Sequence, residues 1–249
     1  MVKQSHTNLI DSREYEKQLH ENAAEDYEKA VKEWTLEHEY FIAGKWGRLF
    51  KGLFLDYGCG TGLVGRYLVR CGREVVGIDI SRKMCKIAKT YSLQVVVGDC
   101  LNLPFRNQVF DVICCSGILH HLPNQLNKAF AEISRCVKQA ICIIEPAATR
   151  PPFVVRLIRF IHKGFEWISN KLYKKYAHGK YTYSIFERPL NPYALKHLCQ
   201  TSGFNIHTIQ FFNHIPSINF LPISVRKHLI QSLLSSTNGT DVEIIAIRS

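Results

Sequence analysis

The middle of the chain alternates between two hydrophobic spacings. Apolar runs of strand length recur, and segments with apolar residues at helical spacing separate them. The predicted strands are Leu53–Tyr57, Glu74–Ile78, Gln94–Val97, Phe110–Cys115 and Ala140–Ile144. The predicted helices between them are Leu63–Arg70, Arg82–Tyr91 and Gln125–Val137. Strands that alternate with helices in this way predict a parallel sheet with helices on both faces.

Both ends of the chain add further elements. Asp11 and Glu14 have the spacing of a capping box, and an apolar stripe behind them predicts a helix over 11–39. A second short helix is predicted over 40–50. The C-terminal part predicts a helix, a strand, a helix and a strand, over Pro192–Ser202, Phe204–Phe212, Ile223–Ser235 and Asp241–Arg248.

Together these elements predict an α/β fold, a Rossmann-like doubly wound seven-stranded sheet with an N-terminal helical cover and a helical insertion after the fifth strand. The length of 249 residues fits one such domain. We divide the chain into a helical cover (1–50), a cofactor-binding core (51–146), a basic amphipathic insertion or lid (147–203) and the closing strands of the core (204–249).

Charge is unevenly distributed. The chain carries a net +11, but residues 1–39 hold 10 acids and 5 bases, whereas residues 40–249 hold 11 acids and 27 bases. A basic body of this kind is compatible with nucleic acid, an anionic membrane or an anionic small substrate. Charge alone does not choose among these partners.

The cysteines indicate a reducing compartment. Nine are scattered along the chain and none forms a C-x-x-C pair, so we expect neither a disulfide framework nor a metal site. The N-terminus has no apolar signal-peptide region, and charges interrupt the longest apolar stretch. We therefore predict a cytoplasmic protein, with peripheral contact to a membrane left open.

The strongest motif is the glycine-rich segment Asp56-Tyr57-Gly58-Cys59-Gly60-Thr61-Gly62 at the end of the first predicted strand. Glycines there allow a tight turn and close approach of a ligand, and the following helix directs N–H groups towards it. The motif is ambiguous, because Gly60 to Gly65 also fits G-x-G-x-x-G and Asp79 follows at the distance of a ribose-binding acid. An NAD-dependent oxidoreductase therefore stays open at this point.

Three further features favour a different cofactor. Asp56 precedes the glycines, and a carboxylate there suits the cationic amino-acid end of S-adenosylmethionine (SAM) better than a pyrophosphate. Asp99 follows the third strand, where it can accept a hydrogen bond from an adenine amine. The fourth strand ends in the segment CSGILHHLP.

The series LDYGCGTG, GIDIS, VVGDCLNLPF and FDVICCSGILHHLP resembles the successive motifs of class I SAM-dependent methyltransferases. It is most similar to the type 11 group, which includes quinone- and sterol-modifying enzymes. The resemblance covers about residues 53–145. The Asn/Asp-Pro-Pro-Tyr/Phe motif that accompanies methylation of planar nitrogens is missing after the fourth strand, which argues against adenine, cytosine-amine or glutamine acceptors.

The resemblance implies a set of cofactor contacts. Asp56, Gly58 and Gly60 would hold the methionine part, Asp79 the ribose and Asp99 with Cys100 the adenine. Ser116 and Leu119 would line the pocket beside the sulfonium. The full predicted cofactor set is Asp56, Gly58, Cys59, Gly60, Gly62, Asp79, Ile80, Asp99, Cys100, Ser116 and Leu119.

Methyl transfer from a sulfonium needs positioning above all, and a base only where the acceptor must lose a proton. His120 and His121 are the candidate catalytic residues, because they lie just past the fourth strand. In the resembling group, histidines at this place often only shape the pocket. Glu145 is a second candidate base, although a role in holding the backbone is favoured for it.

Residues 153–176 have a two-faced pattern, with apolar residues on one side of a predicted helix and basic ones on the other. A lid over the acceptor pocket is the favoured interpretation, and contact with an anionic membrane is the alternative. RNA contact through the following lysines and tyrosines is less favoured, and DNA is not expected. Tyr15, Tyr27 and Trp34 could cap the cofactor, although core packing is more common at such spacing.

The sequence thus predicts a SAM-dependent methyltransferase that methylates oxygen or carbon of a small apolar or lipid-like acceptor. The alternatives are an RNA methyltransferase, an NAD-dependent oxidoreductase and a SAM-binding protein without activity. The motifs do not predict the acceptor or the oligomeric state.

Overall fold

The computed structural model describes the backbone of residues 2–34, 36–149, 188–212 and 241–249, and the side chains of 13–29, 43–149, 188–212 and 241–249. Its helices are α1 (Val2–Trp34), α2 (Leu36–Leu49), α3 (Leu63–Arg70), α4 (Arg82–Thr90), α5 (Leu126–Cys136) and α6 (Pro192–Thr201). Its strands are β1 (Leu53–Tyr57), β2 (Glu74–Asp79), β3 (Gln94–Val97), β4 (Phe110–Ser116), β5 (Val137–Pro146), β6 (Phe204–Phe212) and β7 (Asp241–Arg248).

In the described residues, seven strands form one sheet in the order β3-β2-β1-β4-β5-β7-β6. The first five run parallel to their neighbours, whereas β7 is antiparallel to both β5 and β6. The order reverses between β1 and β4, so a crevice opens beyond the carboxyl ends of these two strands. The predicted Rossmann-like sheet is confirmed, and the glycine-rich segment lies at this reversal.

Two apolar clusters cover the two faces of the sheet. Phe130 of α5, Leu195 of α6 and Ile113 of β4 lie in one cluster. Leu68 of α3 and Trp46 of α2 lie in the other, together with apolar residues of the same strands. Because the strands are apolar on both faces, helices are needed on both sides.

Glu243 of β7 joins helix α2 of the cover to the sheet. It lies buried on β7, where its Oε1 accepts a hydrogen bond from the Trp46 indole at 2.9 Å and its Oε2 contacts the Lys45 ammonium at 2.6 Å. These contacts fix α2, and through it the chain that leads into β1. None of the described helices is long and apolar enough to cross a membrane.

Several predicted boundaries are wrong. Helix α1 begins at Val2, so Asp11 lies inside the helix and not at its start, and α1 ends at Trp34 instead of continuing to residue 39. Strand β5 extends the predicted Ala140–Ile144 in both directions, because it pairs with β4 and β7 along its length. The predicted helix Ile223–Ser235 and the two-faced segment 153–176 lie outside the described residues.

Candidate active site

The glycine loop between β1 and α3 turns sharply because three of its glycines have positive φ, namely Gly58, Gly60 and Gly62. A side chain at Gly58 would lie 2.5 Å from Ile118, and one at Gly62 would lie 3.0 Å from Ala88, so close packing surrounds both. A side chain at Gly60 would meet only Tyr27, at 3.8 Å. The surface at Gly60 is therefore where a ligand can approach the backbone of the loop.

Asp56 lies beneath the loop and is 2% exposed. Its Oδ2 accepts a hydrogen bond from the Gly65 N–H in the first turn of α3, at 2.8 Å. Burial raises the pKa of this carboxyl to about 7, which the Gly65 hydrogen bond opposes. The position supports a role in shaping the loop, and contact with a methionine group stays a prediction.

Asp79 ends β2 and faces the loop. Its Oδ2 accepts from the Gly60 N–H at 2.9 Å, and its Oδ1 accepts from the Ser81 N–H at 2.8 Å. Burial raises the pKa of Asp79, whereas these two hydrogen bonds and the nearby His20 and His121 lower it. Each carboxylate oxygen has a second lone pair, so the side chain can also accept hydrogen bonds from two ribose hydroxyls.

Asp99 and Cys100 follow β3, at the place expected for an adenine. The Asp99 carboxylate accepts from the Leu101 N–H at 2.9 Å and from the Asn102 amide at 3.0 Å, and it pairs with the Arg13 guanidinium. Cys100 is buried, and its carbonyl accepts from the Tyr57 hydroxyl. An adenine amine would therefore have to share Asp99 with Arg13, a partner that the sequence analysis missed.

The remaining predicted cofactor residues lie around the same crevice. Ile80 and Ser116 are half-buried just beyond or at the carboxyl ends of β2 and β4. Cys59 is buried, and its thiol packs on the backbone of Gly77. Leu119 is fully buried in the apolar cluster. Ile80 and Ser116 are thus partly accessible at the carboxyl ends of the strands, whereas Cys59 and Leu119 are buried, and contact of any of the four with a cofactor stays a prediction.

Glu145 holds the short helical turn Leu119–His121 that follows β4. It is fully buried at the end of β5. Its Oε1 accepts from the N–H groups of Ile118 and Leu119, at 3.0 and 2.8 Å, and its Oε2 accepts from the N–H of His120 at 3.1 Å. These bonds compensate for the burial of a carboxylate. The same Oε2 lies 2.8 Å from His120 Nδ1.

His121 faces the N-terminal cover. Its Nδ1 lies 3.2 Å from Oε2 of Glu16, and the same oxygen lies 3.5 Å from Nε2 of His20, one turn further along α1. The His120 and His121 rings lie 4.2 Å apart between centroids. His120 therefore contacts a residue of the sheet, Glu145, whereas His121 contacts a residue of the cover, Glu16.

Other acidic residues of α1 dock it onto the core. Glu21 accepts hydrogen bonds from the N–H groups of Arg82 and Lys83 at the start of α4. Glu28 pairs with Arg66 of α3 at 3.3 Å and accepts from the Tyr91 hydroxyl. In the described part of α1, acidic side chains thus meet a basic group and one helix N-terminus of the core. Of the aromatic residues considered as caps, Tyr27 lies over the loop, Tyr15 is exposed, and the side chain of Trp34 is outside the described residues.

Residues 55–143 match a family described as "Methyltransferase domain". The ubiquinone biosynthesis O-methyltransferase of Pseudoalteromonas translucida is 34% identical over 104 residues, which cover 38% of this chain and 44% of that protein. The tRNA (carboxymethyluridine(34)-5-O)-methyltransferase of Arabidopsis thaliana is 37% identical over 89 residues, which cover 34% of this chain and 21% of that protein. The chain therefore spans less than half the length of these curated relatives.

Solved structures share the fold. A SAM-dependent methyltransferase from Thermotoga maritima has a TM-score of 0.62 at 18% identity, covering 94% of this chain and 99% of that one. The magnesium protoporphyrin IX methyltransferase of Synechocystis also has a TM-score of 0.62, at 14% identity, covering 96% and 100%. These structures show the fold. The family match and the curated relatives support the class I methyltransferase family, with SAM as cofactor, that the four motifs predicted.

Proposed function

We propose that the class I SAM-dependent methyltransferase domain of the type 11 group, to which residues 55–143 belong, methylates a hydroxyl oxygen of a small apolar or lipid-like acceptor. The observation that carries this proposal is the 2.8 Å contact between His120 and Glu145 at the carboxyl ends of β4 and β5. A hydroxyl must lose its proton when it is methylated, and a histidine oriented by a carboxylate is suited to accept it.

The buried carboxylate sets the chemistry of His120. We assign the ring proton of His120 to Nδ1, from which it donates to Oε2 of Glu145, the same oxygen that accepts from the His120 N–H. Nε2 is then the basic nitrogen. Glu145 also stabilises the positive charge that the ring acquires with the acceptor proton. The three backbone hydrogen bonds to Glu145 keep the carboxylate and the histidine in one orientation.

The loop residues fit SAM. When bound, SAM supplies a sulfonium methyl that is already activated. We assign the approach of its amino-acid part to Gly60, the ribose hydroxyls to Asp79 and the adenine amine to Asp99. Asp56 supports the loop from below. In this assignment α1 covers the cofactor, since Tyr27 and Arg13 lie beside Gly60 and Asp99 respectively.

The relatives and the sequence both bear on the acceptor class. The names of both relatives above describe methylation of oxygen, one in ubiquinone biosynthesis and one on a tRNA. The apolar side of the predicted segment 153–176 favours a lipid-like acceptor, and the basic body favours RNA. A tRNA acceptor is therefore the second candidate, supported by the sequence similarity over 89 residues.

Parallel assays of methyl transfer to the two kinds of acceptor separate the two candidates. The chain is incubated with methyl-labelled SAM and either a catechol with an apolar tail, in detergent micelles, or unmodified total tRNA. We expect label in the catechol, and its loss in the variant His120→Gln. Label in tRNA alone, with binding that weakens steeply as salt rises, would instead establish the RNA candidate. Tight SAM binding without transfer to either would favour a silent SAM-binding protein.

A further inference from the structure

Three side chains from two separate elements meet at the edge of the active site. Glu16 and His20 are four residues apart on α1 and therefore share one face of that helix. His121 comes from the turn after β4 and approaches the same face. Methyl transfer as described above uses none of these three residues.

Their spacing is that of a metal site. Glu16 Oε2 lies 3.5 Å from His20 Nε2 and 3.2 Å from His121 Nδ1, and one ligand atom from each of the three residues falls within 4.8 Å of the others. In a tetrahedral Zn²⁺ site with metal–ligand bonds of about 2.0–2.2 Å, neighbouring ligand atoms lie about 3.3–3.6 Å apart. The Glu16–His20 separation of 3.5 Å has this length, and the Glu16–His121 separation of 3.2 Å is slightly shorter.

Burial and chemistry favour the same ion class. The side chains of Glu16, His20 and His121 are only 13%, 19% and 11% exposed, so the cluster is screened from water but remains at the rim. Two imidazoles and one carboxylate suit Zn²⁺, whereas Mg²⁺ and Ca²⁺ prefer oxygen ligands alone. The two imidazole rings lie 5.2 Å apart between centroids at 76° to each other, so they do not stack face to face.

We propose that Glu16, His20 and His121 bind a Zn²⁺ ion that fastens α1 to the core. Two ligands come from the cover and one from the turn after β4, so the ion joins the parts of the chain that close over the cofactor crevice. Arg13 and Tyr27, on either side of the cluster along α1, reach Asp99 and the Gly60 region. Metal binding therefore favours the closed position of the cover, and cofactor and metal stabilise each other's binding.

The same three residues could instead form only a hydrogen-bonded network, with Glu16 accepting from both imidazoles. The two arrangements are distinguished by titrating the untagged, reduced, metal-free chain with Co²⁺ and recording its visible absorption. We expect the intense bands of a tetrahedral Co²⁺ site, displaced by one equivalent of Zn²⁺. Absence of these bands, or bands accompanied by thiolate charge-transfer absorption, would overturn the proposal.

Variants locate the site. His20→Ala, His121→Ala and Glu16→Gln should each weaken Co²⁺ and Zn²⁺ binding at least about tenfold, since even loss of an outer partner of a metal ligand has such an effect. His207→Ala, at an exposed position on β6, is the matched control and should bind as the native chain does. Circular dichroism of each variant checks that it folds. Equal metal binding by all four variants would overturn the assignment.

Hydrogen exchange tests the fastening of the cover separately. Zn²⁺ should slow exchange of the α1 amides in the native chain and in His207→Ala, but not in His20→Ala. If Zn²⁺ binds but hydrogen exchange of the α1 amides is unchanged, the proposal that the ion holds α1 on the core is refuted. Neither readout requires an acceptor, so failure here and failure of methyl transfer by His120 are distinguishable.

Discussion

The turn after β4 and helix α1 border the same crevice, but different interactions hold them. The buried carboxyl of Glu145 holds the turn through hydrogen bonds from the backbone, and the buried carboxyl of Asp56 accepts one from the first turn of α3, directly after the glycine loop. Helix α1 is held mainly by pairs between side chains, such as Arg13 with Asp99. Buried carboxylates bonded to backbone N–H groups are costly to disturb, whereas exposed ion pairs contribute little and are screened by salt. We call the glycine loop and the turn after β4, with Asp56 and Glu145, the floor of the crevice. The comparison predicts that this floor is rigid and that helix α1 of the cover can open.

The largest expected effect is at Glu145. Glu145→Ala removes the acceptor of one buried and two part-buried backbone N–H groups, which at about 1–3 kcal/mol each should lower the free energy of unfolding by about 3–9 kcal/mol. Urea unfolding measures the loss. Glu14→Ala, on the exposed side of α1, is the matched control and should change it by less than about 0.5 kcal/mol. Equal effects of the two substitutions would remove the distinction between floor and cover.

A second effect concerns pH. The carboxyl of Asp56 has a pKa of about 7 in the folded chain against 3.8 for an ordinary aspartate, so the folded state binds more protons between these values. Its contribution to stability is therefore present at low pH and is lost as pH rises from about 4 to about 7, by up to about 4 kcal/mol. Asp56→Asn keeps an oxygen for the Gly65 N–H and should lose this part of the pH dependence. A variant with the same pH profile as the native chain would contradict the assignment.

Glu28 of the cover takes part in a buried interaction, as the residues of the floor do. Its partner Arg66 is buried, with a side chain that is only 6% exposed. Glu28→Gln leaves that guanidinium without its carboxylate and should cost about 2 kcal/mol, between an exposed pair and a fully buried one. Thermal unfolding measures the change, with Asp26→Asn, from an exposed pair on the same helix, as the control. A loss as small as that of the control would place Glu28 with the other cover residues.

The smallest effect is expected at Arg13. Its pair with Asp99 is partly exposed, with side chains 33% and 23% accessible. Arg13→Gln should change the free energy of unfolding by less than about 1 kcal/mol at moderate salt and by less still at high salt. Its effect should be found in the rate of SAM release, measured by stopped flow, because the cover opens more easily. An unchanged release rate would show that Arg13 does not hold the cover closed.

The floor was largely predictable from the sequence, and the cover was not. Asp56, Gly60 and Asp79 stand in motifs whose spacing is fixed by the strand-turn-helix unit that contains them, so their meeting could be predicted locally. The favoured role of Glu145, holding the backbone, agrees with its contacts. The pairing of Glu16 with His121 joins residues 105 positions apart, and no periodicity marks such a pair. The start of α1 was missed because a capping-box spacing at Asp11 outweighed the weakly apolar residues before it.

The central claim is that His120, oriented by Glu145, removes the acceptor proton. It is tested most directly by single-turnover transfer of labelled methyl from saturating SAM to a catechol acceptor, with the native chain and His120→Gln compared. We expect the rate to fall by about 10²–10⁴-fold in the variant. SAM affinity, measured by calorimetry on the same samples, should be unchanged. A variant that transfers methyl at the native rate would contradict the claim. The turn after β4 would then only shape the pocket.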